Sequence, residues 1–261
     1  MTELNGIKYE LKSNVCIIYL NRPEVYNSFN REMSISLQKA LYYCQESIDV
    51  RAVMITGVGR GFSAGQALKE AIAVDGPTME TILAEHYNPI IRRISSMSKP
   101  VVAAVNGVAA GAGANLALAC DIVLVSDSAS FIQAFSKIGL IPDCSGTFFL
   151  PRLIGLQRAK AYMMTGEKIN SRDALNMGIA FKLYQDEEFF ASAFKFTQKL
   201  AVMPTKALAL TKKALLLSQD NNLEAQLNTE LELQLQAGAS SDFKEGVAAF
   251  LEKRAPVFTG N

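Results

Sequence analysis

The stretch VVAAVNGVAAGAGANLALACD, residues 101–121, joins an apolar run, a glycine-rich turn and a run of small residues. Its first five residues are all valine or alanine, which is typical of a strand buried on both faces. Asn106 and Gly107 predict a turn, and residues 109–120 predict a helix of small side chains. A strand that leads through a turn into a helix is the repeating unit of an α/β fold.

Other segments repeat or extend this pattern. Residues 53–56 (VMIT) predict a second buried strand, which is followed by the glycine-rich turn GVGRGFSAG at residues 57–65. Residues 7–11 and 15–20 are rich in β-forming side chains and predict a hairpin. Residues 81–97 carry apolar side chains at helical spacing and predict a helix.

Beyond Gly146 the periodicity is helical almost to the end of the sequence. The predicted helical segments cover residues 159–164, 171–177, 187–201, 205–218, 223–237 and 242–252. Because the composition shifts near Gly155, we expect an α/β core over residues 1–155 and a helical region over residues 156–261.

The composition excludes several classes of function. Of the 261 residues, 49% are hydrophobic and 20% are charged, as in a packed globular protein. A net charge of +1 argues against a broad basic surface for nucleic acid, and no apolar run is long enough to cross a membrane. The single histidine makes a zinc site improbable. Four cysteines without close pairing, and no signal-peptide pattern at the start, favour reduced thiols in the cytoplasm.

Two glycine-rich turns are candidate sources of backbone hydrogen-bond donors. Gly61 and Gly65 lie in the first turn, and Gly111 and Gly113 lie in the second, where each turn opens a predicted helix. The first N–H groups of a helix have no partner within it, so they can face an anion. Either turn alone is typical of close packing, but two turns that direct N–H groups at one oxygen would form an oxyanion hole. The second turn matches neither a dinucleotide-binding motif nor a phosphate-loop motif.

Asp143 is the third candidate feature, in the segment AFSKIGLIPDCSG at residues 134–146. It follows Pro142 and precedes a predicted change to helical structure. Taken alone, an aspartate in this setting would by default cap the next helix.

Several motifs together resemble one superfamily. In order and spacing they match the crotonase (enoyl-CoA hydratase/isomerase) superfamily along the whole chain. The motifs are NRPEVYNSF at 21–29, GFSAGQ at 61–66, AVNGVAAGAG at 104–113, CDI at 120–122, GLIPD at 139–143 and FLEKRAPVF at 250–258. The resemblance implies a crotonase-like ββα spiral core with a helical C-terminal trimerisation region. It is closest to the phenylacetate-degradation isomerases that convert ring-1,2-epoxyphenylacetyl-CoA to its oxepin form.

The resemblance also implies a catalytic arrangement. It assigns the oxyanion donors to the backbone N–H groups of Gln66 and Ala112. The two glutamates that handle water in the hydratases are replaced here by Asn115 and Phe135. Because neither side chain transfers a proton at neutral pH, hydration of a double bond is disfavoured. Asp143 remains, at a position where isomerases of the superfamily carry a carboxylate, and apolar neighbours would raise its pKa.

The resemblance implies that coenzyme A, as part of an acyl-CoA thioester substrate, lies across residues 64–69, with no separate cofactor or metal. Phe250 and Lys253 would reach the nucleotide from a neighbouring subunit of a homotrimer or hexamer. Arg22 and Lys69 are phosphate candidates that are equally typical of solvated surface charge. His86 is expected to be structural or part of the pocket wall. The remaining predicted substrate contacts are Ala64, Gly65, Ala67, Leu68, Tyr87, Gly111, Asn115, Phe135, Ile141 and Pro142.

Departures from the family pattern occur at Ala67, where an aspartate is frequent, and at Ser145, where the closest relatives have glycine. The Ser145 hydroxyl could contact Asp143, or the turn could simply tolerate a serine. We expect an isomerase of epoxyphenylacetyl-CoA, of 3-enoyl-CoA, or of both. The alternatives are a hydratase-like lyase, a hydrolase or dehalogenase with Asp143 as nucleophile, and an acyl-CoA-binding subunit without catalysis.

Overall fold

The fold is built on two β-sheets, in a computed structural model that describes all of residues 1–261. The larger sheet has seven strands: β1 Thr2–Leu4, β2 Ile7–Lys12, β3 Val15–Leu20, β4 Ala52–Gly57, β6 Val101–Val105, β8 Ile122–Ser126 and β11 Lys182–Tyr184. The smaller sheet has four: β5 Gly61–Ser63, β7 Val108–Ala110, β9 Ser130–Ile132 and β10 Lys168–Asn170.

The larger sheet has the order β1-β2-β3-β4-β6-β8-β11, antiparallel from β1 to β3 and parallel from β3 to β11. The smaller sheet has the order β10-β9-β7-β5, with only β10 antiparallel to its neighbour. Strands β4 and β6 are each followed at once by a strand of the smaller sheet. The chain therefore crosses from the larger sheet to the smaller one at residues 58–60 and again at residues 106–107.

The helices surround these sheets. They are α1 Arg31–Glu46, α2 Leu68–Ala71, α3 Met79–Thr81, α4 Asn88–Ser96, α5 Ala112–Ala119, α6 Gly146–Ile154, α7 Leu156–Thr165, α8 Ser171–Asn176, α9 Phe189–Ala201, α10 Thr205–Leu217, α11 Leu223–Gly238 and α12 Ser241–Glu252. A π-helical segment, Ile82–Tyr87, joins α3 to α4. No helix is both long and apolar enough to cross a membrane.

Most predicted elements are present, and the differences have physical causes. The hairpin is confirmed as β2 and β3. The helix predicted at residues 109–120 begins only at Ala112, because Val108–Ala110 pairs as a strand with both β5 and β9. Gly111 separates strand from helix with a φ of 52°, a backbone conformation that glycine adopts readily. The helix predicted at residues 81–97 is present, but its first part is the wider π-helix.

Both sheets take a strand from beyond residue 155. Strand β10 extends the smaller sheet, and β11 is an edge of the larger sheet. The proposed boundary between residues 155 and 156 therefore does not separate the sheets from the helical region. Each of these strands is only three residues long, too short for its alternation to be recognised in the sequence.

The central strands β3, β4, β6 and β8 of the larger sheet are buried on both faces, which explains their nearly uninterrupted apolar sequences. In β3, Cys16, Ile18 and Leu20 belong to the main core, whereas Val15 and Ile17 pack in a second core with residues of α9. The helical region after α9 differs from the rest of the chain, since it leaves many large apolar side chains exposed. Along α11 these include Leu223, Leu227, Leu231 and Leu235.

Candidate active site

A cavity of about 150 Å³ lies where the two glycine-rich turns meet the loop that carries Asp143. Its walls are mostly apolar, with Gln66, Tyr87 and Asp143 as the polar side chains. Of the predicted site residues it brings together Ala64, Gln66, Leu68, Tyr87, Gly111, Ala112, Phe135 and Asp143. Larger clefts, of about 550 and 570 Å³, lie elsewhere on the surface and contain none of the three predicted catalytic residues.

The first turn leaves the Gln66 N–H free. Gly65 O accepts a hydrogen bond from Phe29 N–H at 2.7 Å, and Ala67 N–H donates to Phe29 O at 2.8 Å. These two bonds form an isolated β-bridge between Phe29 and Gln66 and hold the backbone in place on either side of Gln66. The Gln66 N–H between them makes no hydrogen bond within the protein.

The second turn leaves a donor free for a different reason. Gly111 N–H is used, because it donates to Ile132 O of the neighbouring strand at 2.9 Å. Helix α5 then begins at Ala112 without a side-chain cap. The N–H groups of its first turn, beginning with Ala112, therefore have no partner within the helix.

Gly65 allows the two turns to approach each other. Its φ is 86°, and a Cβ atom at this position would lie 2.7 Å from Ala110 O and 3.2 Å from Ala112 N. Any larger residue would therefore separate the turns. The close approach places Gln66 and Ala112, one from each turn, in the wall of the same cavity. An oxyanion hole needs two such backbone donors from separate segments.

Asp143 presents an unsatisfied carboxyl group to the same cavity. Its Oδ1 atom is buried and has no hydrogen-bond partner in the protein. Removal from water raises the pKa of the Asp143 carboxyl above its ordinary value, while the Cys144 thiol and a backbone N–H offset part of this effect. A carboxyl group whose pKa is raised in this way is suited to proton transfer.

The backbone after Asp143 turns sharply into α6. Cys144 and Ser145 both have positive φ, 48° and 62°. The Ser145 hydroxyl donates to Cys144 O and makes no hydrogen bond with Asp143. Of the two alternatives for Ser145, the structure therefore supports a turn that tolerates serine in a left-handed conformation.

Asn115 supports the Asp143 loop through a hydrogen bond and does not line the cavity. Its Nδ2 donates to the backbone oxygen of Asp143 at 2.8 Å, and its Oδ1 accepts from Gln133 Nε2 at 2.8 Å. The side chain is fully buried and does not line the cavity, so its predicted contact with substrate stays a prediction. The contact depends on Gly146, where a Cβ atom would lie 2.3 Å from Asn115 Nδ2.

Tyr87 and Gln66 form a side-chain pair that the sequence did not predict. The Tyr87 hydroxyl donates to Gln66 Oε1 at 2.5 Å, and its ring meets Phe29 edge-on at 5.9 Å. Burial raises the pKa of Tyr87 well above its ordinary value, so the hydroxyl remains a donor. The neighbouring His86 is buried outside the cavity, and burial lowers the pKa of its imidazole.

The other predicted contacts lie outside the cavity. Arg22 donates through Nη1 to Ser28 O at 2.7 Å, which supports the loop before α1. Ile141 is 80% exposed, and Phe250 near the end of α12 is 82% exposed. The remaining predicted contacts that do not line this cavity are Gly65, Ala67, Lys69, Pro142 and Lys253.

Comparison with known proteins shows the family of the chain. The family model described as enoyl-CoA hydratase/isomerase matches residues 10–261. The chain is 45% identical to a Rhodobacter capsulatus protein named "Probable enoyl-CoA hydratase", over 97% of this chain and 98% of that protein. It is 43% identical to the 1,2-epoxyphenylacetyl-CoA isomerase of Escherichia coli, over 96% of this chain and 97% of that protein.

Solved structures give the same assignment. An enoyl-CoA hydratase from Bacillus anthracis superposes with a TM-score of 0.91 at 31% identity, covering 98% of this chain and 100% of that one. The fold is therefore that of the crotonases, as the motifs predicted. With a family model that spans nearly the whole chain and relatives of both hydratase and isomerase name, the chain belongs to the enoyl-CoA hydratase/isomerase family.

Proposed function

We propose that this chain is an acyl-CoA isomerase in which two backbone N–H groups stabilise a thioester enolate and Asp143 moves the proton. The observation that carries the proposal is that Asp143 is the only acidic side chain lining the cavity. The free N–H groups of Gln66 and Ala112 lie in the same cavity and would bind the thioester oxygen. Oxyanion donors typically contribute about 3 to 4 kcal/mol each to transition-state stabilisation.

For a 3-enoyl thioester, the Asp143 carboxylate removes a proton from C2, and the charge spreads onto the thioester oxygen. The protonated Asp143 then returns the proton to C4, which moves the double bond to the 2,3 position. For a ring epoxide, the same donors would polarise the thioester while the ring opens, with Asp143 as acid/base partner. The cavity is too small for a whole acyl-CoA, so it would take the acyl group and leave the nucleotide outside.

Hydration is not supported by this arrangement. Addition of water to a 2-enoyl thioester needs acid/base groups that position and deprotonate the water. Of the two positions that carry glutamate in hydratases, Asn115 is buried beneath the site and Phe135 presents a ring to the cavity. A further relative also carries an isomerase name: the chain is 37% identical to the trans-2-decenoyl-[acyl-carrier-protein] isomerase of Streptococcus mutans, over 99% of both chains.

A substrate panel tests the proposal. The purified protein is assayed with a 3-enoyl-CoA, with 1,2-epoxyphenylacetyl-CoA and with a 2-enoyl-CoA in water. We expect conjugation or ring rearrangement with one or both of the first two and negligible hydration of the third. Hydration at a rate matching or exceeding isomerisation would contradict the proposal, as would the absence of turnover on all isomerisation substrates.

The pH profile gives a separate test. The carboxylate is the form of Asp143 that removes a proton, and its pKa is raised. We therefore expect kcat/KM for a 3-enoyl-CoA to fall with decreasing pH, with a midpoint above the ordinary value for an aspartate. Burial also raises the pKa of the neighbouring Cys144 and Tyr87, so both stay neutral across this range. An acidic limb at the ordinary aspartate value would contradict the assigned role, provided that activity recovers on return to neutral pH.

A further inference from the structure

The side chain of Gln66 has an unused hydrogen-bond donor at the site. Its Oε1 accepts from the Tyr87 hydroxyl. The Nε2 atom then lies on the other side, buried and without a partner. A buried donor without a partner destabilises the folded protein, so we expect the Gln66 amide to donate to a bound ligand.

Among the buried polar side-chain atoms of the cavity lining, the only other one that lacks a partner is Asp143 Oδ1. Because neither atom has any hydrogen-bond partner, the two do not bond each other. One donor and one acceptor are therefore available in a cavity whose remaining side chains are apolar, apart from the Tyr87 hydroxyl that is already used. Such a pair suits a ligand oxygen, which can accept a hydrogen bond from Gln66 Nε2 and also interact with the Asp143 carboxyl group.

The position of the donor limits which part of a ligand it can reach. In the proposed function the backbone N–H of Gln66 binds the thioester oxygen. The side chain of the same residue can then reach only the first few atoms of the acyl group. A hydrogen bond from Nε2 would therefore fall close to the carbons at which the double bond or ring rearranges.

We propose that the Gln66 side-chain amide is a specificity-determining group that donates from Nε2 to an oxygen on the acyl moiety, so that the site prefers oxygen-bearing acyl-CoA substrates over purely hydrocarbon ones. The proposal rests on the proposed function for the placement of the thioester. The favoured class comprises thioesters with an epoxide, ether or hydroxyl oxygen next to the reacting carbons. A site built to hydrogen-bond a substrate oxygen discriminates against analogues that lack it.

A matched pair of ligands tests this proposal without turnover. Phenylacetyl-CoA and 2-hydroxyphenylacetyl-CoA differ by one oxygen, and their Kd values are measured by calorimetry. We expect the parent protein to bind the hydroxylated thioester about tenfold more tightly, the worth of one hydrogen bond. In Gln66→Met, which keeps the backbone N–H and a similar side-chain length, we expect the two Kd values to converge. Tyr87→Phe, which releases the amide, is expected to reduce the ratio in the same direction.

Met79→Leu is the control, because it replaces one apolar side chain of the cavity wall by another. It is expected to affect both ligands alike and to keep their ratio. Equal affinities in the parent, or a ratio unchanged in Gln66→Met, would overturn the inference. Retained binding of phenylacetyl-CoA by Gln66→Met shows that the variant is folded. The proposed function fails by a different result, the absence of isomerisation by the parent, so the two failures are distinguishable.

Discussion

Replacing Asp143 by alanine is expected to lower kcat for 3-enoyl-CoA isomerisation by about a thousandfold, the usual scale for loss of a general acid/base. The proposed mechanism assigns both proton transfers to this one carboxyl group, and the cavity offers no second acid to replace it. The Kd for a saturated acyl-CoA is expected to change little, because the backbone donors of Gln66 and Ala112 remain. Conjugation absorbance measures the first quantity and calorimetry the second.

Asp75→Ala is a matched control for this experiment, since it removes an exposed carboxylate that lies outside the cavity. We expect the control to isomerise at the parent rate. Isomerisation by Asp143→Ala at that same rate would show that the proposed mechanism is wrong. A covalent adduct trapped on Asp143 of the parent would instead identify the residue as a nucleophile, as in the hydrolase and dehalogenase alternatives.

Gly65→Ala is expected to damage both stability and catalysis. The residue has a φ of 86°, and the added Cβ atom would lie 2.7 Å from Ala110 O. The left-handed conformation alone costs a non-glycine residue about 1 to 3 kcal/mol, and relief of the contact would push the two turns apart. Since the turns carry the two proposed oxyanion donors, we expect kcat to fall by about a hundredfold or more. Thermal unfolding and steady-state kinetics measure the two effects.

Gly238→Ala provides the control for this substitution. Gly238 ends α11, and a Cβ atom there would have no atom within 4 Å. In a helix, alanine is favoured over glycine by up to about 1 kcal/mol, so this variant is expected to be as stable as the parent or more so. Kinetics for Gly65→Ala that match those of Gly238→Ala would contradict the role assigned to the approach of the two turns.

Much of the site could be predicted from the sequence because its donors are backbone groups. A backbone N–H has no partner where a turn opens a helix, and the glycines of GFSAG and GAG indicate such turns in the amino-acid sequence. Strands β3, β4, β6 and β8 were equally recognisable, because burial on both faces makes their residues continuously apolar. The three-residue strands β7, β9, β10 and β11 have too few residues to show a period.

The side-chain contacts were harder to predict because each depends on residues distant in sequence. Asn115 supports the Asp143 loop across 28 positions, and only the missing Cβ of Gly146 leaves room for it. Gln133 could have been suspected, because it is a polar residue within the otherwise apolar run SFIQAF. Nothing in the sequence indicated that Tyr87 would hold the Gln66 amide, since the pair meets only through the π-helical segment.

The hydrogen bonds of Asn115 also restrict how this chain could evolve or be re-engineered. Its amide donates to the Asp143 backbone oxygen and accepts from Gln133, and a carboxylate at this position could do only the second. A single Asn115→Glu change would place a carboxylate oxygen next to the Asp143 backbone oxygen, and neither oxygen could donate a hydrogen bond to the other. Converting this site to one that hydrates a double bond with two carboxylates therefore requires coordinated substitutions at residue 115, in the loop before α6 and at residue 135. Single substitutions along that route are expected to lose the present activity before they gain another.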